Sequence, residues 1–300
     1  MRERYDELLL AGERAVGADD FARAAEIFAE AESVARELGE IDLADRAFCN
    51  RCSVLVEIDQ GADQIPKLKE ILLSSGDTRN RFLAAYCTGV AYFVSEDFDR
   101  AQGYARRATS LARDLGDLDL EHRSLNLVGT LAAKAAVFDE AEDAFRRCLE
   151  AHGDGADFER LMAAQVEDNL GYVLLCTERL DDGIAHCERA RAVMEELDAD
   201  HYLYETLQDL CYGYVLVDDL DRADECGTKA LELALEFDDE QIAKNCLFLL
   251  SEIAVRRGDT FKARRYLHEL TAFYPEAGVS EEIIEVFLAT DLTSVVNLRG

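Results

Sequence analysis

Apolar residues recur along the chain with the spacing of amphipathic helices, and residues 121–148 show this pattern most clearly. A break at Val137–Phe138 separates two apolar groups, which are Leu125, Val128, Gly129 and Ala132, then Ala141, Phe145 and Cys148. Gly129 and Ala141 are both small and lie 12 residues apart. A small residue on each of two antiparallel helices lets the backbones approach closely, while larger apolar neighbours fill the flanks. The stretch therefore predicts two helices joined by a turn.

The same unit recurs seven times. If the small residue of the second helix is taken as a mark, its equivalents follow at intervals of 40, 37, 40, 42, 40 and 40 residues, at Ala24, Gln64, Ala101, Ala141, Gly183, Ala223 and Ala263. A small residue stands 12 positions before each mark, at Gly12, Cys52, Gly89, Gly129, Gly171, Cys211 and Ser251. Self-similarity at a fixed period of about 40 residues indicates a helical-repeat protein.

The positions of the small and aromatic residues resemble the tetratricopeptide signature, as at Leu170-Gly171, Tyr92 and Tyr214. Pro275 stands where the tetratricopeptide consensus ends its second helix with proline. Because the period exceeds the standard repeat of about 34 residues, the chain resembles the long-helix variety, found among bacterial regulators and scaffolds. The resemblance implies an all-α fold, a right-handed superhelical solenoid of seven tetratricopeptide-like helix-turn-helix repeats with a C-terminal capping helix.

The periodicity predicts a single solenoid domain over residues 1–300. Its repeats span about 3–38, 43–75, 80–115, 119–152, 158–197, 201–237 and 240–275. Residues 280–290 form an amphipathic segment that is expected to cap the open end of the last repeat, followed by an extended tail over 291–300. Carboxylates precede several second helices and are predicted to cap their backbone N–H groups; they are Asp20, Asp97, Asp219 and Asp259.

The charge of the chain disfavours two classes of partner, nucleic acid and anionic membranes. The formal net charge is −31, from 63 acidic and 32 basic residues, and only six of the basic residues are lysine. So acidic a surface should repel nucleic acid and anionic membranes, whose binding depends on neutralising phosphates. No apolar stretch has the length of a signal peptide core or a membrane span, so we expect a cytoplasmic protein with its nine cysteines as free thiols.

The tetratricopeptide resemblance implies that the first helix of each repeat lines a concave groove. The predicted groove residues are Arg46, Asn50, Tyr86, Val90, Phe93, Arg123, Asn126, Lys134, Gln165, Asn169, Tyr172, Gln208, Tyr212 and Asn245. Four of the six asparagines in the chain are among them. An asparagine amide donates and accepts together, which suits an extended peptide backbone, but the simpler explanation is that these are solvated polar residues in a wet groove. The third repeat, with Tyr86 and Phe93, is the most apolar part and the predicted anchor pocket.

The sequence gives little indication of a metal-binding, redox or catalytic motif. Cys49 and Cys52 form a C-x-x-C pair, but Cys52 holds a helix-packing position and no second pair lies nearby to complete a metal site. The five histidines are scattered over different repeats, without the spacing of a catalytic or metal-binding motif. We therefore expect structural cysteines, no metal, no cofactor and no catalytic residues.

These observations together predict a non-catalytic scaffold that binds a protein or peptide in the groove, with a basic partner favoured by the charge. In chaperone-binding tetratricopeptide domains, a lysine and an asparagine of the first repeat bind the acidic C-terminal motif of the partner. The corresponding positions here hold Leu9 and Glu13, which argues against a partner with that motif. Two alternatives remain. One is a peptide-sensing regulatory switch that controls an effector protein, with a hinge at Gly153–Gly155. The other is a self-assembling structural protein, with a homo-oligomer formed through the tail segment Leu292–Leu298.

Overall fold

The computed structural model describes residues 1–18, 20–56, 58, 60–150, 157–274, 281–289 and 298. The predicted all-α fold is confirmed, because consecutive helices pack in pairs and the described residues contain no strand. Three predictions concern residues outside this description: the hinge at Gly153–Gly155, the helix end at Pro275, and the extended tail apart from Leu298.

The chain divides into two compact units, of which the first is Met1–Ala135. Its described helices, with a short 3₁₀ helix at Ala62–Gln64, are α1 (Arg2–Val16), α2 (Phe21–Leu38), α3 (Ile41–Val56), α4 (Ile65–Ser74), α5 (Thr78–Val94), α6 (Phe98–Leu115) and α7 (Leu118–Lys134). Within this unit 25 acidic residues face 17 basic ones, so the formal net charge is −8.

The second compact unit is Ala136–Gly300. Its described helices are α8 (Phe138–Glu150), α9 (Asp157–Cys176), α10 (Leu180–Glu196), α11 (Asp200–Leu216), α12 (Leu220–Glu236), α13 (Glu240–Arg256), α14 (Thr260–Thr271) and α15 (Glu281–Ala289). This unit has 38 acidic and 15 basic residues, a formal net charge of −23. Most of the excess negative charge therefore belongs to the second unit.

Aspartates begin the helices, as the sequence predicts. The side chains of Asp20, Asp97, Asp219 and Asp259 each accept a hydrogen bond from a backbone N–H in the first turn of α2, α6, α12 and α14. Three further aspartates do the same for first helices of the repeats, at Asp77, Asp117 and Asp239. Each carboxylate satisfies an otherwise unpaired donor and lies at the positive end of the helix dipole.

Small residues allow close backbone approach where the repeat pattern places them. A Cβ added to Gly171 of α9 would overlap the Cys187 sulfur and lie 2.9 Å from the Gly183 carbonyl oxygen of α10. In the first unit, a Cβ on Gly89 would lie 3.5 Å from the Ala101 carbonyl oxygen, an ordinary contact. The predicted pairing of small residues 12 positions apart is therefore confirmed at both sites, with the tighter approach in the second unit.

The cysteines are part of the core. All nine are free thiols, and eight of them are buried, while Cys176 is partly exposed. Cys49 and Cys52 pack with Phe48, Leu68 and Ile71 in an apolar cluster of the first unit. Burial raises the pKa of both thiols well above its ordinary value, so they are poor nucleophiles at neutral pH. Both cysteines thus lie in the packed core of the first unit, where the sequence places Cys52.

The expected capping helix is α15. It packs against α14, where its Ile284 side chain is buried and its Glu285 carboxylate pairs with the Arg264 guanidinium. Among the described residues, none of the helices combines the length and the apolar character needed to cross a membrane.

Candidate functional site

One face of each first helix can be defined by register. Positions six and three residues before the small packing residue lie about one turn apart on the same face. In the first unit they hold Asp6 and Leu9 of α1, Arg46 and Cys49 of α3, Leu83 and Tyr86 of α5, and Arg123 and Asn126 of α7. In the second unit they hold Gln165 and Asp168 of α9, Glu205 and Gln208 of α11, and Asn245 and Phe248 of α13. The two arginines at these positions belong to the first unit, whereas five of the six positions in the second unit hold an amide or a carboxylate.

Arg46 links two first helices of the first unit. Its guanidinium donates to an Asp77 carboxylate oxygen at 2.8 Å and to the Asn80 side-chain oxygen at 3.2 Å. Asn80 in turn donates to the Asp42 carbonyl oxygen at 2.7 Å. Because its donors bind the start of α5, Arg46 ties α3 to α5 and has less capacity left for a ligand.

Aromatic rings of the first unit lie beneath cationic side chains. Tyr86 stacks on Phe82 with ring centroids 5.9 Å apart, and the Arg123 guanidinium lies 4.9 Å from the Tyr86 ring. Phe93 lies 6.0 Å from Phe98, whose ring is 5.6 Å from the Lys134 ammonium. The other predicted contact residues of this unit, Asn50, Val90 and Asn126, are half-buried. Cation–π contacts stabilise these aromatic surfaces while leaving them partly accessible.

A pocket of about 180 Å³ opens in the second unit between α9, α10 and α11. It is lined by polar residues and one thioether, namely Gln165, Asp168, Asn169, Met194, Tyr202, Glu205 and Thr206. Asp168 is only 4% exposed, whereas Glu205 is exposed at the rim. Two carboxylates in one small pocket favour a cationic group and disfavour an anionic one.

Beside this pocket, buried amides form a hydrogen-bonded chain. Asn245 donates through Nδ2 to the Gln208 side-chain oxygen and to the Leu298 backbone carbonyl, both at 2.8 Å. Gln208 donates to Asp209 at 3.2 Å, and Gln241 donates to the Asn245 side-chain oxygen at 3.3 Å. Both Nδ2 hydrogens of Asn245 and its oxygen are therefore used. We call Asn245 and Gln208, together with Tyr212 and Phe248 of the neighbouring apolar cluster, the amide site.

Four predicted groove residues are buried, which corrects the expectation that they line an open surface. Tyr172 is 1% exposed and Gln208 0%, and both Tyr212 and Asn245 are buried as well. Tyr172 and Tyr212 belong to the main apolar cluster of the second unit, and burial raises the pKa of Tyr212 to about 12. Asn245 is covered because the backbone of Leu298 lies against it. By contrast Gln165 and Asn169 are half-buried and reach the pocket.

Sequence reasoning missed several contributors to this region. Met194 and Thr206 line the pocket but lie on helix faces that the repeat pattern assigns to packing. The sequence predicts Leu298 to be part of an extended tail, whereas its side chain is 3% exposed within the same cluster as Tyr212. The short mixed sequence of residues 291–300 carries no periodic signal that could place it on a helix face.

The residues described around the pocket offer hydrogen-bonding and charged groups for binding. The described buried thiols that show a shift have raised pKa values because they are desolvated, which lowers their reactivity. In the part of the chain that the structure describes, no group of three or more histidine, cysteine or acidic side chains could hold a metal ion. Amide donors and acceptors beside an acidic pocket and apolar side chains suit a polypeptide ligand.

The fold defined by these paired helices is the tetratricopeptide-like helical repeat, and comparison with solved structures confirms that resemblance. A Rap protein complexed with competence and sporulation factor matches with a TM-score of 0.70 and 13% identity, covering 98% of this chain and 80% of the other. NprR in complex with its cognate peptide NprX matches with a TM-score of 0.66 and 13% identity, covering 96% and 81%.

A signal-transduction ATPase from Pyrococcus horikoshii, which carries a tetratricopeptide repeat sensor, matches with a TM-score of 0.65 and 16% identity. The match covers 93% of this chain and 44% of the ATPase. At these identities the likeness establishes the fold. No protein-family model and no curated protein matches the sequence.

Proposed function

We propose that the protein is a non-catalytic scaffold that binds a protein or peptide, and that the second unit supplies a principal contact surface. The pocket between α9, α10 and α11 carries this proposal, because the half-buried Gln165 and Asn169 converge there with Asp168 and Glu205. Amides can pair with peptide N–H and C=O groups, and the two carboxylates add a place for a cationic side chain.

Charge supports a basic partner. The second unit has a formal net charge of −23, so a cationic peptide is attracted to it before any specific contact forms. Attraction of this kind raises the association rate and weakens with salt. The pocket would then select among cationic peptides by hydrogen bonding and shape.

The comparisons provide support of a different kind. The NprR structure holds the cognate peptide NprX, and the Rap structure holds competence and sporulation factor. These proteins share the fold of this chain at 13% identity, so they support peptide binding by such a fold and leave the ligand of this chain open.

The test is peptide binding measured by fluorescence anisotropy with short labelled peptides that differ only in charge. Cationic peptides should bind and their acidic counterparts should not. Glu205→Gln should weaken binding about fivefold, the size expected for one partly exposed charge contact. Glu236→Gln removes the same charge from the exposed end of α12 in the same unit and should leave affinity nearly unchanged.

Two results would contradict this assignment. One is equal weakening by Glu205→Gln and Glu236→Gln, which would mean that only net charge matters. The other is equal binding of cationic and acidic peptides by the unsubstituted protein.

The first unit is a second candidate contact surface. Tyr86 and Phe93 are half-buried beside Arg123 and Phe98, so they can add apolar area to a binding face. Replacing Tyr86 and Phe93 together with alanine should weaken partner binding while the helical circular dichroism signal stays nearly unchanged. Unchanged affinity would remove these residues from the proposal.

A peptide-sensing switch that controls an effector protein is the alternative function, favoured by the regulators among the matched structures. It requires that a bound peptide change the conformation of the protein. Small-angle scattering with and without a bound cationic peptide would distinguish the two, since an unchanged radius of gyration supports a rigid scaffold.

A further inference from the structure

A residue far along the chain occupies the amide site. The Leu298 backbone carbonyl accepts a hydrogen bond from Asn245 Nδ2 at 2.8 Å, although 53 residues separate the two. The Leu298 side chain is 3% exposed and belongs to the apolar cluster that includes Tyr212 and Phe248. One residue thus contributes both a backbone acceptor and an aliphatic side chain.

The amide site is organised to receive a backbone carbonyl. The second Nδ2 hydrogen of Asn245 is directed to the Gln208 side-chain oxygen, and Gln241 holds the Asn245 oxygen. These bonds fix the orientation of the amide, so that its remaining N–H points at the Leu298 carbonyl. Asparagine is also a mediocre helix former, and its place in α13 is explained by this polar contact.

The site adjoins the acidic pocket. Glu205 lines that pocket, and Gln208 lies three residues later on α11, about one turn away on the same face. An extended peptide advances about 3.3 Å per residue, so a few residues are enough to bridge two groups one helical turn apart. A ligand in the pocket can therefore reach the amide site as well.

We infer that the amide site is a peptide subsite for an aliphatic residue and its backbone carbonyl, and that Leu298 is its internal ligand. This inference rests on the proposed function, since it assigns a ligand class to the same face of the second unit. An outside peptide that fills the amide site must displace Leu298, so the internal segment competes with it. The observed association constant is then the intrinsic constant multiplied by the fraction of molecules in which the site is open.

The experiment uses the decapeptide DLTSVVNLRG, which has the sequence of residues 291–300, labelled with a fluorophore. A variant that lacks residues 291–300 should bind it saturably, and the full chain should bind it at least about tenfold more weakly because its own segment competes. The peptide with Leu298→Ala should lose about tenfold in affinity for the shortened variant, since an aliphatic side chain is no longer buried.

Matched substitutions in the protein locate the contact. Asn245→Ala in the shortened variant should weaken peptide binding about tenfold, whereas Asn50→Ala, in α3 of the first unit, should not change it. If the shortened variant fails to fold, Leu298→Ala in the full chain replaces it, and this substitution should strengthen binding of the decapeptide.

The outcomes separate this inference from the proposed function. Suppose that cationic peptides bind in a Glu205-dependent manner, but that neither deletion of residues 291–300 nor Leu298→Ala strengthens binding of the decapeptide. This result would overturn the internal ligand and leave the proposed scaffold standing. Binding of the decapeptide that is insensitive to Asn245→Ala would overturn the assignment of the amide site. Failure of the cationic peptides and of the decapeptide to bind either the full chain or the shortened variant would overturn the scaffold and the inference together.

Discussion

The two units carry the same helical repeat, but several equivalent positions on their first helices hold different chemistry. Six residues before the small packing residue, the first unit has Arg46 and Arg123, while the second has Glu205 and Asn245. In the first unit these cations bind within the unit, to Asp77 and to the Tyr86 ring. In the second unit, Glu205 lines a pocket and Asn245 binds the backbone of Leu298. Repeat register thus predicts where a side chain lies, and local neighbours decide what it does.

The difference also concerns how each face is covered. The first-unit residues Asn50 and Asn126 stay half-buried, whereas Asn245 is buried beside Leu298. A polar residue mid-helix is tolerated when solvated, but once buried it needs all its hydrogen bonds. Asn245 therefore depends on its hydrogen-bond partners more strongly than Asn50 or Asn126 depends on solvent.

The largest expected effect tests how closely helices approach in each unit. Gly171→Ala should lower the free energy of unfolding by about 3 kcal/mol, because the new methyl group would overlap the Cys187 sulfur and crowd the Gly183 carbonyl. Gly89→Ala should change it by less than about 1 kcal/mol, since the nearest atom is the flexible end of the Leu127 side chain at 3.3 Å, which can shift, and alanine favours helix. Chemical denaturation followed by circular dichroism measures both, and equal losses would contradict the difference in packing.

The next effect tests the dependence on buried polar groups. Asn245→Ala should lower the free energy of unfolding by about 2 kcal/mol, because it leaves the Gln208 oxygen and the Leu298 carbonyl without their donor. Asn50→Ala is the matched change at a half-buried position of the first unit and should cost under about 0.5 kcal/mol. A loss at Asn245 no greater than that at Asn50 would show that the amide chain contributes little to stability.

The smallest effect concerns pH and tyrosine ionisation. Burial raises the pKa of Tyr212 to about 12, and burial together with nearby Asp239 does the same for Tyr204. Because an unfolded tyrosine titrates near pH 10, their stabilising contribution is present below about pH 10 and is lost as the pH rises toward 12. In the first unit, the hydrogen bond from Lys69 lowers the pKa of Tyr92. Ionisation of Tyr92 therefore increases the stability of the folded state as the pH rises toward 10.

Tyrosinate absorbance during an alkaline titration measures these groups. Tyr92→Phe should remove the component that ionises earliest, and Tyr212→Phe should remove one that ionises near pH 12 and reduce the fall in melting temperature above about pH 10. The comparison fails if the two substitutions remove components at the same pH.

Much of the fold follows from the sequence because its determinants are local and periodic. The capping aspartates, the small pairs such as Gly171 and Gly183, and the amphipathic segment that forms α15 are each visible within a few turns of helix. The covering of Asn245 is different, since it involves the backbone of Leu298, which lies 53 residues away. No rule of helix periodicity relates those positions, so the site was predicted only in part.

The buried cysteines give the protein a set of internal reporters. Cys49, Cys52 and Cys87 lie in the first unit, and Cys148, Cys187, Cys211, Cys226 and Cys246 in the second. Each is shielded from reagents until the helices around it separate, so its labelling rate measures local opening rather than intrinsic reactivity. Mass spectrometry of a timed alkylation would therefore record, one helix pair at a time, which parts of the chain open and which parts a bound peptide holds closed.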